Sequence, residues 1–238
     1  MPPTPMSTLS PGDLDGLSER IGHRFADPEL LGRAMAHRSW CAEHPGHLSN
    51  ERLEFLGDAV LGWMIADIAY RQHHELPEGK LTDLRKSVVN ASALAEVAVG
   101  IDLGPCLLLG KGEGAAGGRM KPSILSDALE AVIGAVYIDG GVVAAARLIE
   151  HLFTEPLERA AQQLDRLDFK TLLQELTARL FDTAPVYVLS ETGPDHQKTF
   201  TASVVVAGRA VGNGTGRSKK LAEQAAAMAA HNLLSAES

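Results

Sequence analysis

Residues 50 to 58, Asn-Glu-Arg-Leu-Glu-Phe-Leu-Gly-Asp, place Glu51, Glu54 and Asp58 at the start of an otherwise apolar stretch whose helical spacing runs on to Tyr70. A helix advances about 100° per residue, so positions i, i+3 and i+7 fall within about 60° of one another and the three acids share one face. Like charges three and four residues apart repel, and an apolar helix facing a core loses free energy by carrying them unless a cation compensates. Folding alone supplies no reason for the pattern. It reads as half of a divalent-metal site.

The other half is expected in Ser123 to Tyr137, Ser-Ile-Leu-Ser-Asp-Ala-Leu-Glu-Ala-Val-Ile-Gly-Ala-Val-Tyr, where Asp127 and Glu130 stand one turn apart on another apolar helix. If the two helices pack side by side, up to five carboxylates converge, with no Cys or His at comparable spacing. All-oxygen ligation of this kind suits Mg²⁺, with Mn²⁺ as a substitute, rather than zinc. Hard cations among carboxylates are the usual equipment for hydrolysing a phosphodiester, with water as the nucleophile.

Ordinary structural explanations exist for some of these acids. Glu51 reads equally as a first-turn acid favoured by the helix dipole, with Asn50 as N-cap. Asp127 reads as an early acid of a helix opened by Ser123 or Ser126. Glu54, Asp58 and Glu130 lie inside apolar runs, where acids without partners are rare. Asp67, farther along the first helix, reads as solvent-facing or salt-bridged.

Asn50 to Asp58, followed by Ala59-Val60-Leu61, resembles the signature of ribonuclease III, and Ser123 to Ala131 resembles that family's second acidic motif. His37-Arg38-Ser39, Glu78-Gly79 and Lys121-Pro122-Ser123 are similar to the family too; Trp40 stands where the family usually has tyrosine. The resemblance extends over nearly the whole chain after the first dozen or so residues. It implies that Glu54, Asp127 and Glu130 are metal ligands, that Asp58 and Glu130 are most needed for catalysis, and that Glu51 and Glu78 are supporting acids. It further implies 5′-phosphate and 3′-hydroxyl products with short 3′ overhangs, hence two cuts on opposite strands and a homodimer. Phe55, turned about 100° from Glu54, is the candidate aromatic knob for the partner surface, with core packing as its other reading.

The chain has 238 residues, 45% of them hydrophobic, enough for one or two domains with a real core. Met1 to Gly12, rich in Pro, Ser and Thr, reads as a disordered tail. No run approaches the roughly eighteen uninterrupted apolar residues of a spanning helix, so no membrane partner is expected. Cys41 and Cys106 lack metal-type spacing, read as packing residues and fit a reduced cytoplasmic setting.

A net charge of −8 opposes a nucleic-acid reading at first sight. From Asp168 onward, however, 7 basic residues balance 7 acidic ones, and the whole excess of acid lies upstream, 23 against 15. Part of that excess is the proposed metal site, which bound cations would offset.

Helical periodicity predicts helices over Asp27 to Arg38, Glu51 to Arg71, Lys80 to Val99, Ser123 to Tyr137 and Val142 to Phe153. The Gly-rich stretch Leu109 to Gly118 matches neither a Walker loop nor a dinucleotide fingerprint, so no nucleotide cofactor is expected. It reads as a surface connection whose edge residues Lys111, Arg119 and Lys121 could lie against RNA. Glu155 to Asp168, with Pro156 and mixed charges, is expected to end the last of these helices and join two parts.

After Asp168 the pattern becomes a helix from Phe169 to Phe181, strands near Val186 to Ser190 and over Thr199 to Val206, a turn at Gly208-Arg209 into a third strand, and an Ala-rich helix from Ser218 to Leu234. With Gly193-Pro194-Asp195-His196 between the first strands and Ser218-Lys219-Lys220 opening the last helix, this order resembles a double-stranded RNA-binding domain. Lys219 and Lys220 add charge to the positive end of a helix dipole and suit phosphate. Thr171, Gln174 and Glu175 lie on one helix face, where polar groups could meet 2′-hydroxyls in the minor groove. His196 joins the set through the resemblance.

The expected architecture is an all-α endonuclease domain followed by a small α+β domain of α-β-β-β-α order. The divisions are a tail at 1–12, a catalytic domain at 13–158, a linker at 159–167 and an RNA-binding domain at 168–236. The expected activity is Mg²⁺-dependent hydrolysis of double-stranded RNA, in the cytoplasm, acting on ribosomal and other structured RNA precursors. Two other readings stay open at this point: a binding-only regulator that keeps the fold, and a phosphohydrolase of small esters, which would leave residues 168 to 238 without a purpose.

Overall fold

A computed structural model describes residues 11–166, 169–194 and 198–237 and divides the chain into two compact units, Met1–Ala160 and Ala161–Ser238. In the first unit, helices α1 (Pro11–Arg20), α2 (Pro28–Ala34), α3 (Arg38–Glu43), α4 (Glu51–Gln72), α5 (Glu78–Val88), α6 (Ala91–Gly100), α7 (Lys111–Ala115) and α8 (Pro122–Arg166) follow one another. Helix α8 continues beyond the division at Ala160.

The first half of α8 is the centre of the core. Ile124, Leu125, Ala128 and Leu129 are buried, as are Ala131 to Ile133, Ala135 and Val136. A helix that buries apolar residues around most of its circumference, leaving Asp127 and Glu130 on the remaining side, is one surrounded by other elements. The segment Pro122–Gln162 is long and apolar enough by composition to cross a membrane. In its first half the apolar side chains just named fill protein core, with Leu53, Leu61 and Ile65 of α4 buried in the same unit, whereas Ile138, Val142 and Val143 are exposed.

Several boundaries depart from the periodicity. The helix expected over Asp27 to Arg38 stops at Ala34, because Met35 to His37 pairs with Leu108: Leu108 N–H donates to the Met35 carbonyl at 2.9 Å and His37 N–H to the Leu108 carbonyl at 3.1 Å. The helix expected over Lys80 to Val99 is two, since the Asn90 side chain accepts from the Ala93 N–H at 3.1 Å and starts α6 afresh. Asn50 holds the N-cap position of α4, but its side chain makes no capping hydrogen bond. It has helical φ and ψ, is buried, and donates from Nδ2 to the Ala34 carbonyl at 3.3 Å.

The Gly-rich connection contains α7, and Arg119 is committed to structure: its Nη1 donates to the carbonyls of Gly104, Pro105 and Leu107 at 3.1, 2.8 and 2.8 Å. Neither Ser123 nor Ser126 opens α8, which begins at Pro122, a residue whose missing N–H is harmless in a first turn.

At Gly141 the long helix is kinked. Gly141 takes φ +70° and ψ −167°, outside the helical region and open to glycine without strain. Pro156 does not end the helix as expected. Phe153, Leu157 and Ala160 recur on one buried face and keep it packed, so helix continues through Arg166, across the segment expected to join the two parts. At the other end, α1 begins at Pro11, inside the expected tail.

The second unit runs α9 (Phe169–Phe181), β1 (Val186–Thr192), β2 (Thr199–Val206), β3 (Arg209–Gly216) and α10 (Lys219–Ala236). The sheet is antiparallel in the order β1-β2-β3, with Tyr187 opposite Val204 and Leu189 opposite Ala202. Helix α10 lies close against β3. A Cβ on Gly214 would stand 2.2 Å from the Ala226 nitrogen, and one on Gly212 2.5 Å from the Ala226 carbonyl oxygen. Small residues on both partners, with Ala222, Ala226 and Ala230 buried, let the backbones meet.

Candidate metal centre and nucleic-acid interface

Helices α4 and α8 cross backbone to backbone. A Cβ on Gly57 would lie 1.8 Å from the Glu130 carbonyl oxygen, and a Cβ on Gly134 would lie 2.3 Å from the Leu53 carbonyl oxygen. Each helix thus leaves a gap that the other's main chain fills. The acids flank this crossing: Glu54 and Asp58 bracket Gly57, and Asp127 and Glu130 precede Gly134 by up to two turns.

The crossing joins the two acidic segments. Carboxylate oxygens of Glu54, Asp127 and Glu130 all lie within 4.8 Å of one another, each residue half-buried. Asp58, exposed one turn beyond Glu54, is the strongest of the neighbouring charges acting on Glu130. Glu51 acts on Glu54 from the first turn of α4, where Ser49 Oγ donates to its Oε2 at 2.7 Å. Glu78 opens α5 and accepts from Thr82 Oγ1 at 2.9 Å; it is not among the charges felt by Glu54 or Glu130.

Electrostatically the cluster is in debt for positive charge. Burial first, then Asp58, Asp127 and Glu54, push the Glu130 carboxyl up to about 8. Glu54 is also raised, by burial and then by Asp127 and Glu51, with Arg38 opposing. None of Glu54, Asp58, Asp127 and Glu130 forms an ion pair with Lys or Arg among the described residues. An all-oxygen set of carboxylates that no Lys or Arg pairs with among the described residues fits a hard divalent cation.

The His37-Arg38-Ser39 segment borders this site. His37 Nδ1 and Ser39 Oγ are 2.8 Å apart, and Ser39 Oγ accepts from the Gly110 N–H at 3.0 Å. Burial lowers the His37 pKa, while Glu113, Asp127 and Glu51 raise it. Asp67 pairs with Arg71 at 2.8 Å on the exposed side of α4. Of the two cysteines, Cys106 is buried and Cys41 half-buried, and they are not joined in a disulfide.

Phe55 is 80% exposed, so it is not core. Trp63 and Tyr70, exposed as well, fall within about 80° of it around the helix axis, and the three form an aromatic stripe. Beside Phe55 lies a depression bordered by Arg33, Leu53, Leu56 and Ile138.

In the second unit Thr171, Gln174 and Glu175 are exposed on α9, opposite the buried Leu173, Leu176 and Thr177. Ser218 caps α10 by accepting from the Leu221 N–H at 3.3 Å, and Lys219 and Lys220 extend into solvent. His196 lies outside the described residues.

Sequence reasoning missed Gly57 and Gly134, whose only signal was a helix-interior glycine one turn from an acid. It also missed Trp63 and Tyr70, which the apolar run of α4 disguised as core. The contact between Lys170 and Glu223, across 53 residues, had no local signal.

A family model described as Ribonuclease-III-like matches residues 27–157, and one described as a double-stranded RNA binding motif matches residues 169–234. Ribonuclease 3 of Streptomyces coelicolor is 53% identical over 214 residues, covering 90% of this chain and 77% of that protein. Ribonuclease 3 of Thermobifida fusca is 52% identical over 222 residues, covering 93% and 92%. Among solved structures, the nuclease domain of ribonuclease III from Campylobacter jejuni, described for flexibility in a region involved in dimer formation, is 39% identical with a TM-score of 0.54. It covers 59% of this chain and 98% of its own.

Proposed function

Since this chain belongs to the ribonuclease III family, we propose that it cuts double-stranded RNA with Mg²⁺ held by Glu54, Asp127 and Glu130, and that Asp58 and Glu130 are the residues catalysis can least spare. The chain is a double-stranded RNA endoribonuclease of that family, a hydrolase. The observation that carries the finer reading is the convergence of three carboxylates within 4.8 Å, none of them paired with Lys or Arg among the described residues.

A divalent cation bound there supplies Lewis-acid stabilisation of charge on the reacting phosphate and activation of a water nucleophile. The protein's own residues do the rest. Glu54, Asp127 and Glu130 present oxygen ligands from two helices locked together at Gly57 and Gly134. Burial and the neighbouring acids push the Glu130 carboxyl up to about 8, so a cation bound there would displace a proton from it. Asp58 stays solvent-facing at the mouth of the site, and Glu51 and Glu78 are supporting acids of the site or of RNA placement.

The second unit reads A-form shape rather than sequence, over about 16 base pairs. Thr171, Gln174 and Glu175 meet the minor groove, Ser218, Lys219 and Lys220 meet phosphate, and His196 belongs to the same surface. Products carry 5′-phosphate and 3′-hydroxyl ends. Two cuts on opposite strands need two sites, and one site per chain calls for a homodimer. The exposed Phe55 supports it: a knob beside a depression on one surface is self-complementary under two-fold symmetry. The dimer-forming region described for the Campylobacter jejuni domain supports it too. The substrates are ribosomal and other structured RNA precursors, met in the cytoplasm.

The test is incubation of the full chain with a long perfect RNA duplex, with and without Mg²⁺, followed by sizing and end-group analysis. Short duplex products with 5′-phosphates only when Mg²⁺ is present support the reading. Protection of the duplex without Mg²⁺-dependent products would leave a binding protein instead.

A further inference from the structure

Lys219 and Lys220 stand at the N-terminal end of α10, where each opposes the positive end of the helix dipole and the other's charge. The acid of their own helix placed to relieve them is Glu223, four residues beyond Lys219 and three beyond Lys220, the spacing at which opposite charges meet on a helix. Glu223 is engaged elsewhere. Its Oε2 lies 2.8 Å from Nζ of Lys170 on α9, 53 residues earlier in the chain.

That ammonium also stands 4.5 Å from the centre of the Tyr187 ring, whose negative face holds it in place. The Tyr187 hydroxyl is buried without a hydrogen-bond partner among the described residues, and the group paired with Glu223 among them is Lys170. The pair is partly withdrawn from water, with side chains 36% and 21% exposed. Lys219 and Lys220 are exposed and make no ion pair among the described residues.

We propose that Lys170 draws Glu223 away from Lys219 and Lys220, so that both ammonium groups stay free to bind RNA phosphate. Lys170 is then a positioning residue: it touches no RNA and acts through the acid it removes. Without it, Glu223 would turn to its own helix and compete with phosphate for the two lysines. The inference rests on the reading of Lys219 and Lys220 as phosphate contacts.

The experiment measures affinity of the full chain for a labelled RNA duplex across a salt series, without divalent cation so that the duplex stays whole. Lys170→Met should weaken binding by about threefold to tenfold and lower the salt slope by about one, as expected when one ammonium is neutralised internally. Adding Glu223→Gln to Lys170→Met should restore affinity to at least the starting value, although the ion pair is still missing. Glu223→Gln alone should bind as tightly as the unaltered chain or tighter, and it reads the same question should Lys170→Met fail to fold. A double variant as weak as Lys170→Met, or weakened binding by Glu223→Gln alone, makes the pair a structural brace and overturns the proposal. Lys219→Ala with Lys220→Ala separates the two failures. If that variant binds like the unaltered chain, the phosphate reading itself falls; if it weakens binding while Glu223→Gln rescues nothing, only the role of Lys170 falls.

Discussion

Both units use glycine to bring two main chains into contact, and they spend the closeness on opposite charges. At the α4/α8 crossing, Gly57 and Gly134 bring like charges together, and the Glu130 carboxyl is pushed up to about 8. In the second unit, Gly212 and Gly214 let α10 lie against β3, and Lys219 and Lys220 stand at the exposed start of that helix. One surface is short of cations and the other of anions. The same packing device therefore gathers acids in one unit and sets off two lysines in the other, the proposed cation and phosphate sites, and the −8 net charge of the chain describes neither.

The comparison breaks most severely at the acids. Glu130→Gln or Asp58→Ala should lower the rate of duplex cleavage by at least about 100-fold, the scale seen when charge-stabilising groups leave a preorganised site, while RNA affinity without Mg²⁺ changes little. Cleavage near the original rate would place the chemistry elsewhere.

Glycine replacement should then separate the units. Gly57→Ala puts a methyl group where the Glu130 carbonyl stands, so the helices must part; a loss of about 1–3 kcal/mol in stability of the first unit is expected, as in overpacked cores. Divalent-cation binding should weaken with it and duplex binding survive. Gly214→Ala, crowding the Ala226 nitrogen, should give the converse, with RNA binding weakened and cation binding intact. Calorimetric titration of both variants with Mn²⁺ and with RNA checks the pattern.

A smaller effect follows from pH. Glu130 has a folded pKa near 8, above the ordinary carboxyl value of 4.5, so the metal-free folded chain binds more protons than the unfolded chain between those limits. Its contribution to stability is therefore present at low pH and is lost as pH rises towards 8. Cation binding must displace that proton, so affinity should fall by up to about tenfold per pH unit below 8. Thermal melts at pH 6 and 8, with and without Mg²⁺, should show the cation stabilising more at pH 8.

Least of all, Phe55→Ala should shift the chain towards monomer in sedimentation without altering cation affinity. An unchanged oligomeric state would return Phe55 to the ordinary surface.

The acids were legible because an ionisable residue within an apolar helix has no packing reason to be there, and Glu54, Asp58 and Glu130 each stood in such a run. The strands were legible through alternation and turn residues, with β2 falling over Thr199–Val206 as expected. What escaped depends on partners distant in sequence. The periodicity of Lys80 to Val99 continues across Asn90, so only the side-chain cap reveals two helices. Arg119 looked like a loop cation until three carbonyls were found around it. Pro156 and Asn50 carried the correct local preferences and were overruled by packing.

Divalent-cation binding at pH 8, measured on the unaltered chain, Glu54→Gln and Asp127→Asn, tests most directly whether acids from α4 and α8 form one site. Saturable binding that weakens by at least about tenfold in each variant, one on either helix, is the result the shared site requires. Binding that survives both substitutions unchanged would contradict it.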